Sequence, residues 1–571
     1  MNLLHCVRIV IIAIVLLTSA LLVLEVLLQY LISPILVLVV PSWETFFYDV
    51  GFYGAFPVQT YKSFNLTSPR ISQKVWDKKC EDGYIFITPK GPSVPHKGPT
   101  ILDIEGNLIW MSNDYQTSTN LKVQNYKGKP YLTIWSGQQA GTAGAGDYYM
   151  LDQSYNITHT VTPVGADLHG DLHEFKVTAD GTALMTIYNK TTMDMRDIGR
   201  AEDAWIQDSI FQEVDIETGK LIFQWRASDH YTANESYDGN PLAGWFAAMP
   251  YDFFHINSVD KDQYGNFLIS SRHMHTLTYI DGKTGDIIWI LGGHRNDFED
   301  VSEGGKRVDF SWQHDARWLS RDEGTITLFD NRQAGVVQTW GPFSRGMLIQ
   351  IDEKRRNVKF LQQFESLQHT LAPSQGSMEQ LPESRNFFIG WGHSAAYSEF
   401  SADGKLLCET HFGASWLDWW GRVVSYRAFK TKTWVGKPDY PPSVAIKNGK
   451  LFVSWNGATE VRGWQLEGRG LEDEEWRALD VIDKAQFEES FALANIESYA
   501  FYRVAALGRD WANIRHSEEI ENVKTRNYTD LVIKATVASV FAVLGWWCWH
   551  RFVRPEIRTR MGWTAYEYRK L

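Results

Sequence analysis

The strongest constraint on this chain is a pattern that restarts. It opens at Asp252-Phe-Phe-His255-Ile-Asn-Ser-Val, runs through a β-prone stretch to Arg272-His273, and continues as Tyr279-Ile with a turn at Asp281-Gly-Lys-Thr-Gly and a closing Trp289. The same opening returns at Phe310-Ser-Trp-Gln-His314 and Thr325 to Arg332. Short runs rich in β-branched and aromatic residues, punctuated by Gly, Asp and Asn, read as strands rather than helices. Further units occupy residues 83–112, 120–163, 172–227 and 375–413, with turn signals such as Glu105-Gly-Asn, Glu217-Thr-Gly-Lys and Ala402-Asp-Gly-Lys. Repeats of roughly 40–55 residues, each holding several short strands, predict propeller blades, about six in all.

The predicted architecture is therefore all-β. A propeller spans 43–430, entered through an irregular aromatic strap at 43–57. The stretch Ala445 to Leu466, with Trp455, and the later run Ser498 to Gly508 resemble the Trp and Tyr strands of a fibronectin III or Ig-like sandwich, placed at 440–517. Two terminal segments are apolar. Ile9 to Val40 is longer than the core of a signal peptide and long enough to cross a bilayer. Leu531 to Trp549 is followed by Arg551, Arg554, Arg558 and Arg560, which places the tail 551–571 in the cytosol. The expectation is a transmembrane segment or signal anchor within 1–42 and a transmembrane helix at 530–550; a buried core helix fits the terminal position and basic flank poorly. The sequons at Asn65, Asn156, Asn189 and Asn234 fall between these segments, so the intervening chain is expected in the secretory lumen or outside the cell, as a glycoprotein. A formal charge of −12 argues against a sequence-independent nucleic-acid binder. Four cysteines are too few for a disulfide scaffold. Closing the ring would bring Cys80, before the first unit, to Cys408, in the last run of the sixth, and these are expected to pair.

The polar clusters have matched spacing. His255 lies 17 residues before Arg272, His314 lies 18 before Arg332, and His173 lies 16 before Asn189. In a blade, the start of the first strand and the end of the second share one face. His173, His255 and His314, together with Arg272, His273, Asn331, Arg332 and His393, are thereby expected around one channel mouth. Any one His is readily structural; the set at matched positions points to a site. His is a common metal ligand, but no His-Glu-x-x-His helix or Cys pair is present and Arg opposes a cation. His with Arg suits an anion: Arg presents a planar donor fork, and imidazole serves as nucleophile or acid/base. No metal and no cofactor are expected.

The runs Phe254-His255-Ile-Asn-Ser-Val, Leu268-Ile-Ser-Ser-Arg272-His273, Ile288-Trp-Ile-Leu-Gly-Gly293, Gln313-His314-Asp315-Ala and Phe329-Asp-Asn-Arg332 resemble the arylsulfotransferase family, in a membrane-linked form similar to its fungal branch. The resemblance covers residues 43–430. It implies transfer of a sulfuryl group from an aryl sulfate to a phenol without a nucleotide donor, through a transiently sulfated His. It assigns sulfuryl holding to His255, His314 and Arg332, and the nucleophile to His393; the shared channel mouth, read from the spacing, adds Arg272, His273, His173 and Asn331 as candidate binding residues. The absence of a Gly-x-x-x-x-Gly-Lys loop agrees with a non-nucleotide donor. Two other readings stand beside it: a non-catalytic membrane-anchored propeller that binds a sulfated ligand or partner, and a quinoprotein-like dehydrogenase, which would want more blades and a vicinal Cys pair.

Overall fold

The computed structural model describes residues 18–19, 42–115, 117–334, 338–339, 341–495 and 499–522. Six antiparallel sheets follow one another along residues 72–431. Blade 1 comprises Phe429–Thr431 innermost, then Tyr84–Ile87, Thr100–Asp103 and Leu108–Met111. Blade 2 comprises Ser118–Tyr126, Lys129–Ala140, Ala143–Leu151 and Ile157–Val161, and blade 3 comprises Phe175–Val177, Thr182–Met193, Ala204–Asp215 and Leu221–Arg226. Blade 4 holds Ile256–Lys261, Phe267–Ser271, Thr276–Ile280 and Ile287–Gly292. Blade 5 holds His314–Ser320, Thr325–Asp330, Arg345–Asp352 and Asn357–Phe364, with Glu299–Asp300 pairing parallel at its outer edge. Blade 6 holds Ser377–Gln380, Phe387–Gly390, Ala396–Phe400 and Leu406–His411, with Ser72–Val75 outermost.

Packing makes these sheets a ring. Blades buried on both faces need apolar residues on both, so Phe267–Ser271 and Thr276–Ile280 are buried at every position instead of alternating. Six apolar clusters each join two neighbouring blades. Phe86, Trp110 and Ile134 join blades 1 and 2. Tyr148 and Phe175 lie between 2 and 3, and Phe211 and Phe267 between 3 and 4. Tyr279 and Ile326 join 4 and 5, Phe329 and Trp391 join 5 and 6, and Phe388 and Ile87 return from 6 to 1. The arrangement is that of a β-propeller.

The ring is fastened by both ends of its sequence. Ser72–Val75 adds to blade 6, and Phe429–Thr431 crosses into blade 1. Cys80 and Cys408 form a disulfide beside the first of these closures, with Cα atoms 6.3 Å apart. Such a cross-link stabilises mainly by restricting the unfolded chain. Cys80→Ser is expected to lower stability by about 2–4 kcal/mol. Denaturant midpoints of parent and variant under non-reducing conditions check this, and equal midpoints would show the bond to be idle.

The expected irregular strap is corrected in part: Ser42–Asp49 is a two-turn helix. Tertiary burial explains it. Phe47 and Tyr48 face inward, and the Tyr48 hydroxyl donates to the Arg70 carbonyl at 2.7 Å. Beyond the ring, Ser443–Lys447, Lys450–Ser454 and Glu488–Ala492 form one sheet; Arg477–Asp483, Gly463–Arg469, Phe501–Leu507 and Asn513–His516 form another. Leu451, Val453, Trp464, Leu466 and Val504 fill the space between them, giving a small sandwich. It is attached at the outer edge of blade 1, where the Asn456 side chain bonds both the N–H and the carbonyl of Met111, at 3.0 and 2.9 Å. Apart from Thr18 and Ser19, both apolar terminal segments lie outside the described residues. Among the described residues no helix is long and apolar enough to cross a membrane.

Three of the sequons are exposed, at Asn65, Asn156 and Asn234. Asn189 is different. It sits inside the strand Thr182–Met193 and lines a cleft at the channel mouth, so a glycan there would fill that cleft.

Candidate active site

The first strands of the blades begin at one mouth of the central channel. His173, His255, His314, Gln375 and Tyr426 stand at or just before five of these starts. With Lys90, Gln139, Arg272 and a few small residues they enclose a cavity of about 160 Å³. A larger cleft of about 950 Å³ shares Gly141, Thr142 and Arg272 with it and opens outward past Tyr188, Asp252, His273, Trp312 and Met249. The cavity matches a compact tetrahedral group, and the cleft a ring-sized substituent.

The charged residues next in sequence to Tyr426, His173 and His314 balance one another. Arg427, fully buried, lies 3.4 Å from both Glu174 and Asp315, and Arg317 pairs with the same two carboxylates. The cavity wall is not balanced. Among the described residues, Lys90 and Arg272 have no carboxylate within ion-pair distance. Lys90 Nζ donates only to Gln139 Oε1, at 2.8 Å, and burial pushes its ammonium down to about 8. Arg272 lies over the Trp312 ring at 5.0 Å, donates to the Pro373 carbonyl at 3.0 Å and keeps its buried Nε without a partner. The Tyr426 hydroxyl is likewise buried and unpartnered. Unpaired buried donors and cations are costly unless something anionic joins them.

The imidazoles are held in defined tautomers. His255 Nδ1–H donates to Asp252 Oδ2 at 2.6 Å, leaving Nε2 bare. His173 Nδ1–H donates to Asp171. His314 Nδ1–H donates to Asn331 Oδ1 at 2.7 Å, while its Nε2 accepts the Gln375 N–H at 3.2 Å. His273 donates through Nδ1–H to the Asp252 carbonyl and accepts from Arg272 at 2.7 Å. Burial, with the charge of Arg272 adding to it, holds His255, His273 and His314 well below the usual imidazole range, so all three are neutral at pH 7. His255 adopts φ 56°, left-handed backbone that costs a side chain of this kind about 1–3 kcal/mol and is concentrated at functional sites.

The two Asp–His pairs differ. Asp171 accepts from the Gly144 and His173 N–H groups at 2.6 and 3.0 Å as well as from the ring, so its charge is already shared. Asp252 accepts beyond His255 only from Thr142, at 3.0 Å, its Oδ1 is buried without a partner, and burial raises its pKa. Positive charge growing on His255 would be matched by the least compensated carboxylate in the site.

Other residues singled out from the sequence fall elsewhere. Asn331 lines neither cavity; it orients His314, donating through Nδ2 to the Ala372 and Gln375 carbonyls at 2.8 and 2.9 Å. Arg332 also lines neither cavity: Nη2 donates to Asp309 Oδ2 at 3.2 Å, Asp330 lies 3.9 Å away, and its Nε is buried without a partner. His393 lies at the rim, its ring packed on the 415–421 segment near Gly421, outside both cavities. Its Nε2 is buried without a partner, and burial lowers its pKa. Asp252, His255 and His273 bring three possible metal-ligand atoms within 4.8 Å of one another, the one such grouping among the described residues. Two of these residues already bond each other and the third accepts from Arg272, so the donor set favours an anion over a cation. The matched spacing did not reveal Lys90, Gln139, Asp171, Asp252 or Tyr426.

The fold is a six-bladed β-propeller, with Lys90, Arg272 and three histidines lining the cavity at its channel mouth. The arylsulfotransferase (ASST) family model matches residues 122–413, and the chain belongs to that family. No curated protein matches the chain. Among solved structures, a protein of unknown function from Bacteroides caccae is 10% identical over 62% of this chain and 100% of that chain, with a TM-score of 0.36. A protein from Lactobacillus plantarum is 11% identical over 72% of this chain and 100% of that chain, at 0.31. A GH43_1 enzyme from Xanthomonas citri complexed with xylose is 9% identical over 51% and 89%, at 0.27. The fold assignment rests on the sheets themselves.

Proposed function

We propose that the protein transfers a sulfuryl group from an aryl sulfate to a phenol, with the sulfuryl group in the inner cavity and the aryl ring in the outer cleft. The observation that carries this reading is the meeting of Lys90 and Arg272, neither paired with a carboxylate, and a neutral, carboxylate-oriented imidazole around a cavity of about 160 Å³. Arg272, Lys90 and the Tyr426 hydroxyl hold the three sulfuryl oxygens, as donors do in phosphoryl transfer. His255 Nε2 attacks sulfur, the S–O bond to the aryl group breaks, and its electron pair leaves on the phenolate oxygen, which takes a proton from Lys90. Asp252 compensates the charge on the sulfated ring. An acceptor phenol then gives its proton to Lys90 and its oxygen to sulfur, and the S–N pair returns to Nε2. Nothing is oxidised or reduced, and no nucleotide takes part.

This reading moves the guanidinium role from Arg332 to Arg272. Arg272→Ala is expected to lose roughly 10²–10³ in rate, the scale of removing one charge-stabilising donor, while Arg332→Ala loses less than about tenfold because Arg332 lines neither cavity and donates to Asp309. Steady-state kinetics with a chromogenic aryl sulfate and a phenol acceptor measure both. The reverse order would return the role to Arg332. No turnover in the parent, with anion binding retained, would leave a binding protein instead. We further place the propeller in the secretory lumen or outside the cell, held by the terminal apolar segments; the disulfide, the three exposed sequons and the basic tail support this.

A further inference from the structure

Large apolar side chains are exposed on the mouth-bearing face in two built loops. In each blade the first strand starts at the mouth, so the turn to the second strand lies on the opposite face and the connections between blades lie on the mouth face. Two of those connections carry the exposed residues. Between blades 3 and 4, Leu242, Trp245, Phe246 and Met249 project outward, Phe246 being 71% exposed. The loop is hydrogen-bonded on itself: Gly244 N–H donates to the Met249 carbonyl at 2.7 Å and Met249 N–H to the Phe246 carbonyl at 2.9 Å. Between blades 6 and 1, the 3-10 helix Ser415–Trp420 presents Trp416, Trp419 and Trp420, the last 72% exposed. Trp43 and Phe46 of the helix Ser42–Asp49 join this second patch, with the Phe46 and Trp416 rings 6.1 Å apart.

An exposed patch of this kind marks an interaction surface. What meets it is indicated by the chain itself. The nearly unbroken apolar run of residues 9–40 enters directly into the helix Ser42–Asp49, on the same face as the patch. The composition is that of a bilayer boundary, where indole rings settle at headgroup level with apolar bodies inward. We propose that the mouth-bearing face of the propeller rests on a lipid bilayer, with the loops 242–249 and 415–421 dipping aromatic side chains into its interface. The cleft that includes Ala243 and Met249 then opens at the membrane surface, and phenols and aryl sulfates partitioned there enter without crossing bulk water. The docking holds whether or not the protein transfers sulfuryl groups; the substrate route rests on that reading.

The test uses the full chain with Cys6→Ser and Cys548→Ser, the disulfide intact, and one added cysteine as Phe246→Cys, Trp420→Cys or Tyr264→Cys, labelled with an environment-sensitive fluorophore. Tyr264 is 62% exposed and lies on the opposite face, in the turn after the first strand of blade 4. In phosphatidylcholine nanodiscs, labels at 246 and 420 are expected to lose at least half their emission to brominated acyl chains and to be shielded several-fold from aqueous iodide, with the label at 264 behaving oppositely. Iodide access at 246 and 420 equal to that at 264 would overturn the proposal. Shielding from iodide without quenching by brominated lipid would overturn it too, by showing that protein, either the chain's own apolar segment or a second copy, covers the face.

Discussion

Replacing His255 with Ala is expected to reduce sulfuryl exchange between an aryl sulfate and a phenol by about four orders of magnitude or more, the scale on which removal of a nucleophile acts. The expectation follows from three features together. The ring is neutral because burial and Arg272 oppose its protonation. Its Nε2 lone pair is bare because Nδ1–H is committed to Asp252. Its backbone is held at φ 56°, which fixes the ring at the cavity wall. With donor present and acceptor withheld, a sulfated His255 should accumulate and be found by mass spectrometry at alkaline pH. Asp252→Asn should lose about 10²–10⁴, because an amide neither fixes the tautomer nor compensates the sulfated ring. His314→Ala should fall between these limits, since its Nε2 is already engaged by Gln375. Each outcome assigns the nucleophile. Label retained in His255→Ala but lost in His173→Ala would give the role to the ring paired with Asp171, and label on residue 393 would give it to the rim histidine.

Much of this site was legible because blades repeat in sequence. A His at the start of one strand and a polar residue at the end of the next recur at 16–18 residues in blades 3, 4 and 5, and the structure brings His173, His255, His314 and Arg272 to one cavity. Blade 1 breaks the rule for a topological reason. Its innermost strand, Phe429–Thr431, comes from the far end of the ring. Tyr426 and Lys90, the two ends that meet at the mouth, are therefore separated by most of the propeller, and no local spacing joins them. Lys90 also sits in Pro89-Lys90-Gly91, which reads as an exposed turn. Arg332 and His393 fail differently. Both stand at the ends of second strands, where the spacing places them, but side-chain direction there depends on neighbours: Asp309 engages Arg332 and the 415–421 segment takes the ring of His393. Spacing gives the position along a strand; it does not give the partner that turns the side chain.

The second large effect concerns Lys90, and it separates charge from shape. Parent kcat/KM for the aryl sulfate is expected to be level at neutral pH and to fall as pH rises through about 8, where burial has brought the free Lys90 ammonium. The sign follows from the chemistry: the protonated form holds the sulfuryl oxygens and supplies the proton to the leaving phenolate, and both are lost on deprotonation. kcat/KM reports ionisations of the free enzyme, so the midpoint should follow the empty cavity, whereas the midpoint in kcat should lie higher because a bound anion stabilises the ammonium. The total fall should be roughly 10–100-fold, the worth of one charge-assisted hydrogen bond in a dry site, about 1.5–3 kcal/mol. Lys90→Met should show the reduced rate at every pH, without the alkaline limb. It should also melt at a higher temperature than the parent: a buried ammonium whose pKa is depressed destabilises the fold at neutral pH, and a thioether of similar length carries no such cost. Lys90→Arg should keep donor affinity and remove the limb, since guanidinium stays charged across this range, while slowing the proton-dependent step. A Lys90→Met variant with parental activity and an unchanged alkaline limb would take this side chain out of the reaction and leave Arg272 as the cavity's working cation.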